Sequence, residues 1–263
     1  MTGADFGSAR LGRTGLEVGR LGISASYGVP ADAVEHAFHN GVNYLYWGSR
    51  RTEAFAQALR NLRPERDRMV LVLQSYSRMA SLTGWSVERA LRALRMDYAD
   101  VLLLGMWGRR PWGSIVDAGR RLRERGLVRR LALSTHRRPL VPELAADPDF
   151  DIFHVRYNAV HRGAEREVFP HLSALDRPGI VSFTATCWGR LLKSSRIPAS
   201  EIRPTATDCY RFVLTQPLVD VCLTGPASRA HVDQALEALR RGPMDEGELE
   251  WMRRVGAAIY GKQ

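Results

Sequence analysis

The chain has almost no lysine: of its 38 basic residues only Lys193 and Lys262 are lysine, and the rest are arginine. Cysteine is scarce as well, with Cys187, Cys209 and Cys222 far apart. There is no CxxC pair and no Cys/His metal spacing, so no metal site is expected and the thiols read as reduced. No apolar run approaches the roughly 20 residues that span a bilayer, which excludes a membrane helix. The opening MTGADFGSARLGRTG is polar and glycine-rich, without the apolar core of a signal peptide. Cytoplasm is the expected location. No GxGxxG follows the first predicted strand, which argues against a doubly wound dinucleotide fold.

What is present fits one soluble domain over residues 1–263, with 45% hydrophobic and 25% charged residues. The formal charge of +10 comes from arginines that fall largely in pairs, among them Arg50/Arg51, Arg109/Arg110, Arg120/Arg121 and Arg240/Arg241. A nucleic-acid surface needs its cations on one face with aromatics between them. Spread around a whole chain, these read as a solvated shell. No nucleic-acid partner is expected; a small anionic ligand is, because guanidinium forks match carboxylates and phosphates. Nothing in the sequence sets the oligomeric state.

Short apolar runs alternate with amphipathic stretches. Strands are expected at Leu21–Ala25, Val42–Tyr46, Met69–Gln74, Asp100–Leu104, Val128–Ser134, Ile152–Tyr157, Ile180–Ala185 and Val219–Thr224. They are apolar on both faces, as buried parallel strands should be. Helices are expected at Ala31–Asn40, Thr52–Leu62, Ser86–Arg95, Ser114–Arg125, Arg138–Ala146, Glu165–Leu175, Thr207–Leu214 and Ala230–Arg240, with an extra C-terminal helix at Asp245–Ile259. Eight strand–helix repeats predict a (β/α)8 TIM barrel, in which the strands' C-terminal ends build the site.

Several segments carry a family resemblance. LGRTGLEVGRLGIS, GVNYL, YADVLLL, GLVRRLALS, FHVRYN, RPGIVSF and VDVCLTG follow one another along nearly the whole chain. Their order and spacing resemble the aldo-keto reductases, whose barrel opens with an N-terminal hairpin. The resemblance implies NADPH-dependent carbonyl reduction by an Asp, Tyr, Lys and His tetrad at strand ends. Here Tyr46 stands at the aspartate position, Gln74 at the lysine and Gly105 at the histidine, and no tyrosine lies between Trp47 and the second helix. A tyrosine with pKa near 10 is a poor acid at neutral pH without a neighbouring cation. Both lysines are far from the third strand in sequence, so the resemblance implies a divergent member without the tetrad.

The cofactor positions implied by the resemblance are partly kept. Ser134 matches the serine that holds the nicotinamide amide, followed by Thr135 in place of asparagine; Asn158 is a further candidate. Thr184 replaces the usual aromatic stacking partner, with Trp188 near it, and Gly225, Ser228 and Arg229 match the loop that takes the adenosine phosphate. Helix entry at such a loop suits a phosphate. NADP(H) binding stays open.

Collected from strand ends, Tyr46, Arg51, Gln74, His136 and His154 are the candidate catalytic residues. Trp47, Arg50, Tyr76, Trp107 and Trp188 are candidates for holding substrate. His136 is the first candidate acid/base; His154 reads more readily as a core histidine than as a catalytic one, and His36, His39, His161, His171 and His231 as surface. The expected function is binding of a small anionic or aromatic metabolite at the barrel mouth, with non-standard or non-redox catalysis. Whether the protein is an enzyme stays open between an atypical oxidoreductase and a cofactor-independent lyase or isomerase. Beside this stand an inactive NADP(H)-binding sensor and an NADPH-dependent carbonyl oxidoreductase with unusual proton donors.

Overall fold

The computed structural model describes residues 6–48, 50–172 and 176–261. A short antiparallel hairpin, β1 (Ser8–Arg10) and β2 (Glu17–Gly19), precedes eight parallel strands. These are β3 (Leu21–Ser24), β4 (Tyr44–Trp47), β5 (Val70–Ser75), β6 (Ala99–Leu104), β7 (Val128–Thr135), β8 (Ile152–Arg156), β9 (Gly179–Phe183) and β10 (Val221–Thr224). They close into a barrel, with β10 pairing both β9 and β3. All eight expected strands are found, none with an end displaced by more than two residues.

The helices are α1 (Ala31–His39), α2 (Glu53–Asn61), α3 (Ala80–Leu94), α4 (Gly113–Glu124), α5 (Leu140–Glu143), α6 (Ala164–Glu167), α7 (Arg190–Lys193), α8 (Ala206–Thr215), α9 (Arg229–Arg241) and α10 (Glu246–Tyr260). Four differ from expectation, and one of them, α7, is a single turn where no helix is expected. α3 starts six residues before Ser86, because Thr83 turns inward and is fully buried. α5 is a single turn rather than Arg138–Ala146: Pro139 and Pro142 lack amide hydrogens, so the ladder cannot propagate. α6 stops at Glu167, where Val168 leaves helical geometry and Pro170 follows in a 3-10 turn over Phe169–His171. The rest of that expected helix, 173–175, lies outside the described residues, as does Lys262. No helix among the described residues is long and apolar enough to cross a membrane.

Two apolar cores result. The larger lies between strands and helices. The smaller fills the barrel interior with Tyr44, Tyr46, Val70, Val72, Val101, Leu103, Ala132, Ile152, Val181 and Val221, stoppered below by Leu11 and Val18 of the hairpin region. Strand alternation decides which core each residue joins, since successive side chains point to opposite faces.

Three aspartates brace the lower end of the barrel by one device. Asp100 accepts the Leu71 amide of β5 and the Arg66 guanidinium, both at 2.8 Å. Asp151 accepts the Leu131 amide of β7 at 3.3 Å, with Arg130 at 3.7 Å. Asp220 accepts the Ile180 amide of β9 at 2.8 Å and both Nη of Arg177 at 2.8 and 2.6 Å. Each carboxylate thus ties a strand to the one before it and neutralises an arginine.

Other arginines clamp carbonyls. Arg20 donates to Leu214 O and Val219 O at 2.7 and 2.8 Å, and Arg13 to Phe150 O at 3.0 Å. Arg211, nearly buried, donates to Gly242 O, Pro243 O and both oxygens of Glu248, fastening α10 to α8. The expectation of a merely solvated arginine shell is therefore corrected. A guanidinium has five donors and reaches several acceptors at once, which an ammonium cannot do in one plane.

Asp220→Ala strands a nearly buried Arg177 and leaves the Ile180 amide without its acceptor. The expected loss is about 3–5 kcal/mol, read from the urea midpoint. Glu237→Ala, which breaks only the exposed Arg240–Glu237 pair, should barely move that midpoint.

Candidate functional site at the barrel mouth

Each of the eight barrel strands sends one side chain into the floor of a cavity of about 560 Å³: Ser24, Tyr46, Gln74, Leu103, Ser134, His154, Phe183 and Leu223. They are the uppermost inward residues, two positions above the apolar layer of Gly22, Tyr44, Val72, Val101, Ala132, Ile152, Val181 and Val221. The site is thus set by strand parity and closure.

Hydrogen bonds bind this floor together. Tyr44 and His154, on diametrically opposite strands, meet across the interior, with Tyr44 Oη 2.8 Å from His154 Nε2. Gly22 makes room for this: a Cβ there would lie 3.0 Å from the Tyr44 ring and 3.1 Å from Val221. Burial pushes the His154 imidazole down to about 3 and the Tyr44 phenol well above its ordinary value. Both are neutral. Tyr46 packs against His154 at 6.2 Å between centroids and donates its phenolic hydrogen to Gln74 Oε1. Gly105 lies behind that pair, where a Cβ would fall 2.5 Å from Gln74 Nε2 and 2.6 Å from the Tyr76 ring. Ser134 Oγ accepts the Met106 amide at 2.9 Å.

The rim comes from loops and helices. Tyr76 and Trp188 both line the cavity and are about half exposed. So is Tyr27, whose ring covers Gly225. Lys193, Tyr210 and His231 complete the wall, which contains no aspartate or glutamate among its described residues. Sequence reasoning missed Tyr27, Lys193, Tyr210 and His231. Lys193 is far from the third barrel strand in sequence, yet α7, a turn that sequence periodicity does not reveal, brings it to the cavity. The Ala227 amide donates to His231 Nδ1 at 3.2 Å, so the neutral ring carries its proton on Nε2.

Of the expected residues, Tyr46, Gln74, Tyr76, Ser134, His154, Trp188 and Gly225 line this cavity. The others do not. Trp47 is buried in the outer core and donates Nε1–H to Thr52 O. Arg51 lies over the Trp47 ring and donates to Gln74 O at 3.0 Å and Ser86 O at 3.3 Å, a positioning role at the end of β5. Arg50 is exposed. Trp107 is buried beneath Arg78, 3.9 Å from its ring centroid. Thr135 caps the next turn through Arg137 N and O. Asn158 donates to Thr184 O at 2.7 Å and accepts from Val160 N and His161 N. Ser228 caps α9, and Arg229 faces Asp233 at 3.9 Å. His136 is exposed, edge-on to the Phe183 ring at 5.7 Å. Its place as first acid/base candidate in this cavity is corrected, as is the surface reading of His161, which is half-buried beside Cys187.

No family model and no curated protein matches this chain. Solved structures do. An aldo-keto reductase from Bacillus halodurans in its holo form superposes with a TM-score of 0.79 at 19% identity, over 97% of this chain and 98% of that one. An aldo/keto reductase from Klebsiella pneumoniae, in complex with NADP and acetate, gives a TM-score of 0.77 at 21% identity over 95% of both chains. The fold is that of the aldo-keto reductases. On this aldo-keto reductase barrel, hairpin and C-terminal helix included, the mouth floor carries no ionised group among its described residues, and its Tyr46–Gln74 pair lies beside the Tyr44–His154 pair.

A pH dependence of stability follows from His154. Its folded value of about 3 lies below the ordinary 6.5, so between the two the unfolded chain binds a proton that the folded one refuses. Stability therefore falls as pH drops through this window, by at most about 1.4 kcal/mol per pH unit for one group. His154→Gln keeps a polar partner for Tyr44 and removes that titration. Urea unfolding at about pH 7 and about pH 4.5 should show a shallower acid-side loss in the variant; an equal loss would mean that His154 titrates freely in the fold.

Proposed function

We propose that the protein binds a small anionic or aromatic metabolite at the barrel mouth and does not reduce carbonyls by the tetrad chemistry that its family resemblance implies. The observation that carries this reading is the Tyr46–Gln74 pair at the floor. At the strand ends where the resemblance implies an aspartate and a lysine, a phenol is bonded to a neutral amide. A phenol protonates an alkoxide usefully only when a cation lowers its pKa; among the described residues no lysine, arginine or carboxylate stands in the floor, and Arg51, whose charge reaches Tyr46 from outside it, commits its donors to Gln74 O and Ser86 O.

The rim favours an anion with a flat body. Lys193 and His231 supply donors, no carboxylate among the described residues of the wall opposes them, and Tyr27, Tyr76 and Trp188 offer faces for stacking. His231, with its proton fixed on Nε2, is the group best placed for proton transfer in non-redox catalysis at this rim.

NADP(H) binding is the second reading. It is favoured by one observation: the cavity wall runs from Ser134 to Gly225 and Ala227, the two ends that the resemblance assigns to nicotinamide and adenosine phosphate. The Klebsiella relative is described in complex with NADP. The fit is partial. Lys193 and His231 suit phosphate oxygens, but the amide-holding set is reduced to Ser134, since Thr135 and Asn158 bond elsewhere. On this reading the protein senses the nucleotide without turning it over.

Both readings are tested by titrating the protein with benzoate, indole-3-acetate, NADPH and NADP+ while following tryptophan emission, which Trp188 dominates at the cavity. The expected outcome is saturable quenching, weakened about tenfold by Lys193→Met, with no NADPH-dependent loss of an aldehyde substrate. Turnover of the aldehyde would overturn the loss of tetrad chemistry. Quenching untouched by Lys193→Met would move the ligand out of this cavity.

A further inference from the structure

The large apolar side chains that stay exposed are not scattered over the barrel. Of the ten among the described residues, six lie between residues 76 and 112: Tyr76, Met79, Leu82, Trp85, Met106 and Trp112, each between 41% and 59% exposed. They come from the β5–α3 and β6–α4 connections and the first turns of α3. Single exposed hydrophobes are normal on a soluble protein, whereas a contiguous patch marks an interaction surface.

Arg78 ties the two connections into one surface. Its guanidinium donates to Tyr76 O at 3.2 Å, Gly105 O at 3.1 Å and Met106 O at 2.7 Å, and lies 3.9 Å from the Trp107 ring centroid. Trp107 in turn meets Trp112 edge-on at 5.5 Å, and the Tyr76 ring lies against Gly105. From Arg78 and Met79, the N-cap of α3, the surface continues along the helix as Leu82, Trp85 and Arg89, all exposed at the three-to-four spacing that keeps one face. Arg89 lies over Trp85 at 5.2 Å and Arg109 over Trp112 at 5.5 Å, and neither meets a carboxylate among the described residues. Residues 75–87 and 105–116 contain no aspartate or glutamate at all.

Tryptophan, tyrosine, methionine and arginine without lysine or carboxylates is the composition that the centres of protein interfaces favour. A second copy of this chain does not suit the surface, because a two-fold contact would set Arg78, Arg89 and Arg109 against themselves in a protein of net charge +10. A single-stranded nucleic acid would stack on the indoles, but Met79, Leu82 and Met106 offer alkyl surface where stacking needs rings. We propose that this face docks an acidic segment of a partner protein, whose apolar side chains cover the indoles and methionines while its carboxylates reach Arg89 and Arg109. Tyr76 and Met106 also line the main cavity, so the docked segment lies along one side of the barrel mouth. Its docking does not depend on what that cavity binds.

The test selects a random displayed library of peptides of about 12 residues against the immobilised full chain. The recovered sequences are expected to combine Asp and Glu with Leu, Phe or Trp. Synthesised with a fluorophore and followed by anisotropy, they should bind with a Kd of about 1–100 μM. Trp85→Ser and Arg109→Glu should each weaken binding at least about tenfold, as should replacing the peptides' acids by lysine. Arg240→Glu, which makes the same charge change on α9, and Lys193→Met in the cavity should leave it unchanged. The exchanged side chains are exposed, so the variants should unfold at the parent's urea midpoint; Met79→Ser and Arg89→Glu replace any that do not. The proposal is overturned if no peptide is recovered, if the recovered peptides are not acidic, or if they bind the patch variants as tightly as the parent. It is equally overturned if an oligothymidylate takes this face with the same sensitivity, or if the chain alone dimerises in sedimentation and Trp85→Ser abolishes the dimer.

Discussion

The mouth of this barrel depends on one hydrogen bond through its centre, from Tyr44 on β4 to His154 on β8. Those strands face each other across the closed sheet, so a single contact fixes the depth at which the apolar interior ends. Below it the interior is filled by aliphatic side chains and stoppered by the hairpin. At and above it polar and aromatic side chains join the aliphatic ones, with Ser24, Tyr46, Gln74, Ser134 and Phe183 beside Leu103 and Leu223. The bond satisfies two buried polar atoms at once, and leaving either alone would cost about 1–3 kcal/mol. It also explains the composition around it: a tyrosine ring long enough to cross the interior requires Gly22 beside it, and a neutral histidine allows Tyr46 to lie against its face.

The scarcity of lysine has its explanation in the same architecture. Arginine supplies the barrel's lower braces at Asp100, Asp151 and Asp220 and its loop clamps at Arg13, Arg20 and Arg211. A net charge of +10 therefore coexists with an ordered interior, because much of that charge is bonded to carbonyls.

Much of the fold was legible because parallel strands buried on both faces leave an unmistakable pattern of apolar runs, and each run became a strand. The short helices were not legible, since proline placement ends α5 and α6 without changing their amphipathic appearance. The site was half legible. The strand-end rule finds Tyr46, Gln74, Ser134 and His154, but it does not separate inward from outward positions. Strand parity does: Trp47 and Thr135 are each one residue beyond an inward side chain and so belong to the outer face. Counting in twos from Tyr44, Val72 or Ala132 would have excluded both. Lys193 and His231 carry no such signal, because helices bring them in from outside the sheet.

Asn158 shows how a position named for one role can serve another. Three non-glycine residues of the segment after β9, Thr184, Cys187 and Trp188, hold left-handed φ values of 61°, 51° and 54°. Each costs on the order of 1–3 kcal/mol and persists only where the surroundings over-determine it. Here Thr184 O accepts both the Asn158 side-chain amide at 2.7 Å and the Cys187 amide at 2.8 Å, which fixes the turn at its first residue. That strained segment is a wall of the main cavity, where Trp188 also touches His161. Asn158 therefore shapes the cavity wall without lining it. A relaxed loop in its place would let the Trp188 ring leave the cavity and would uncover Cys187 and His161 together.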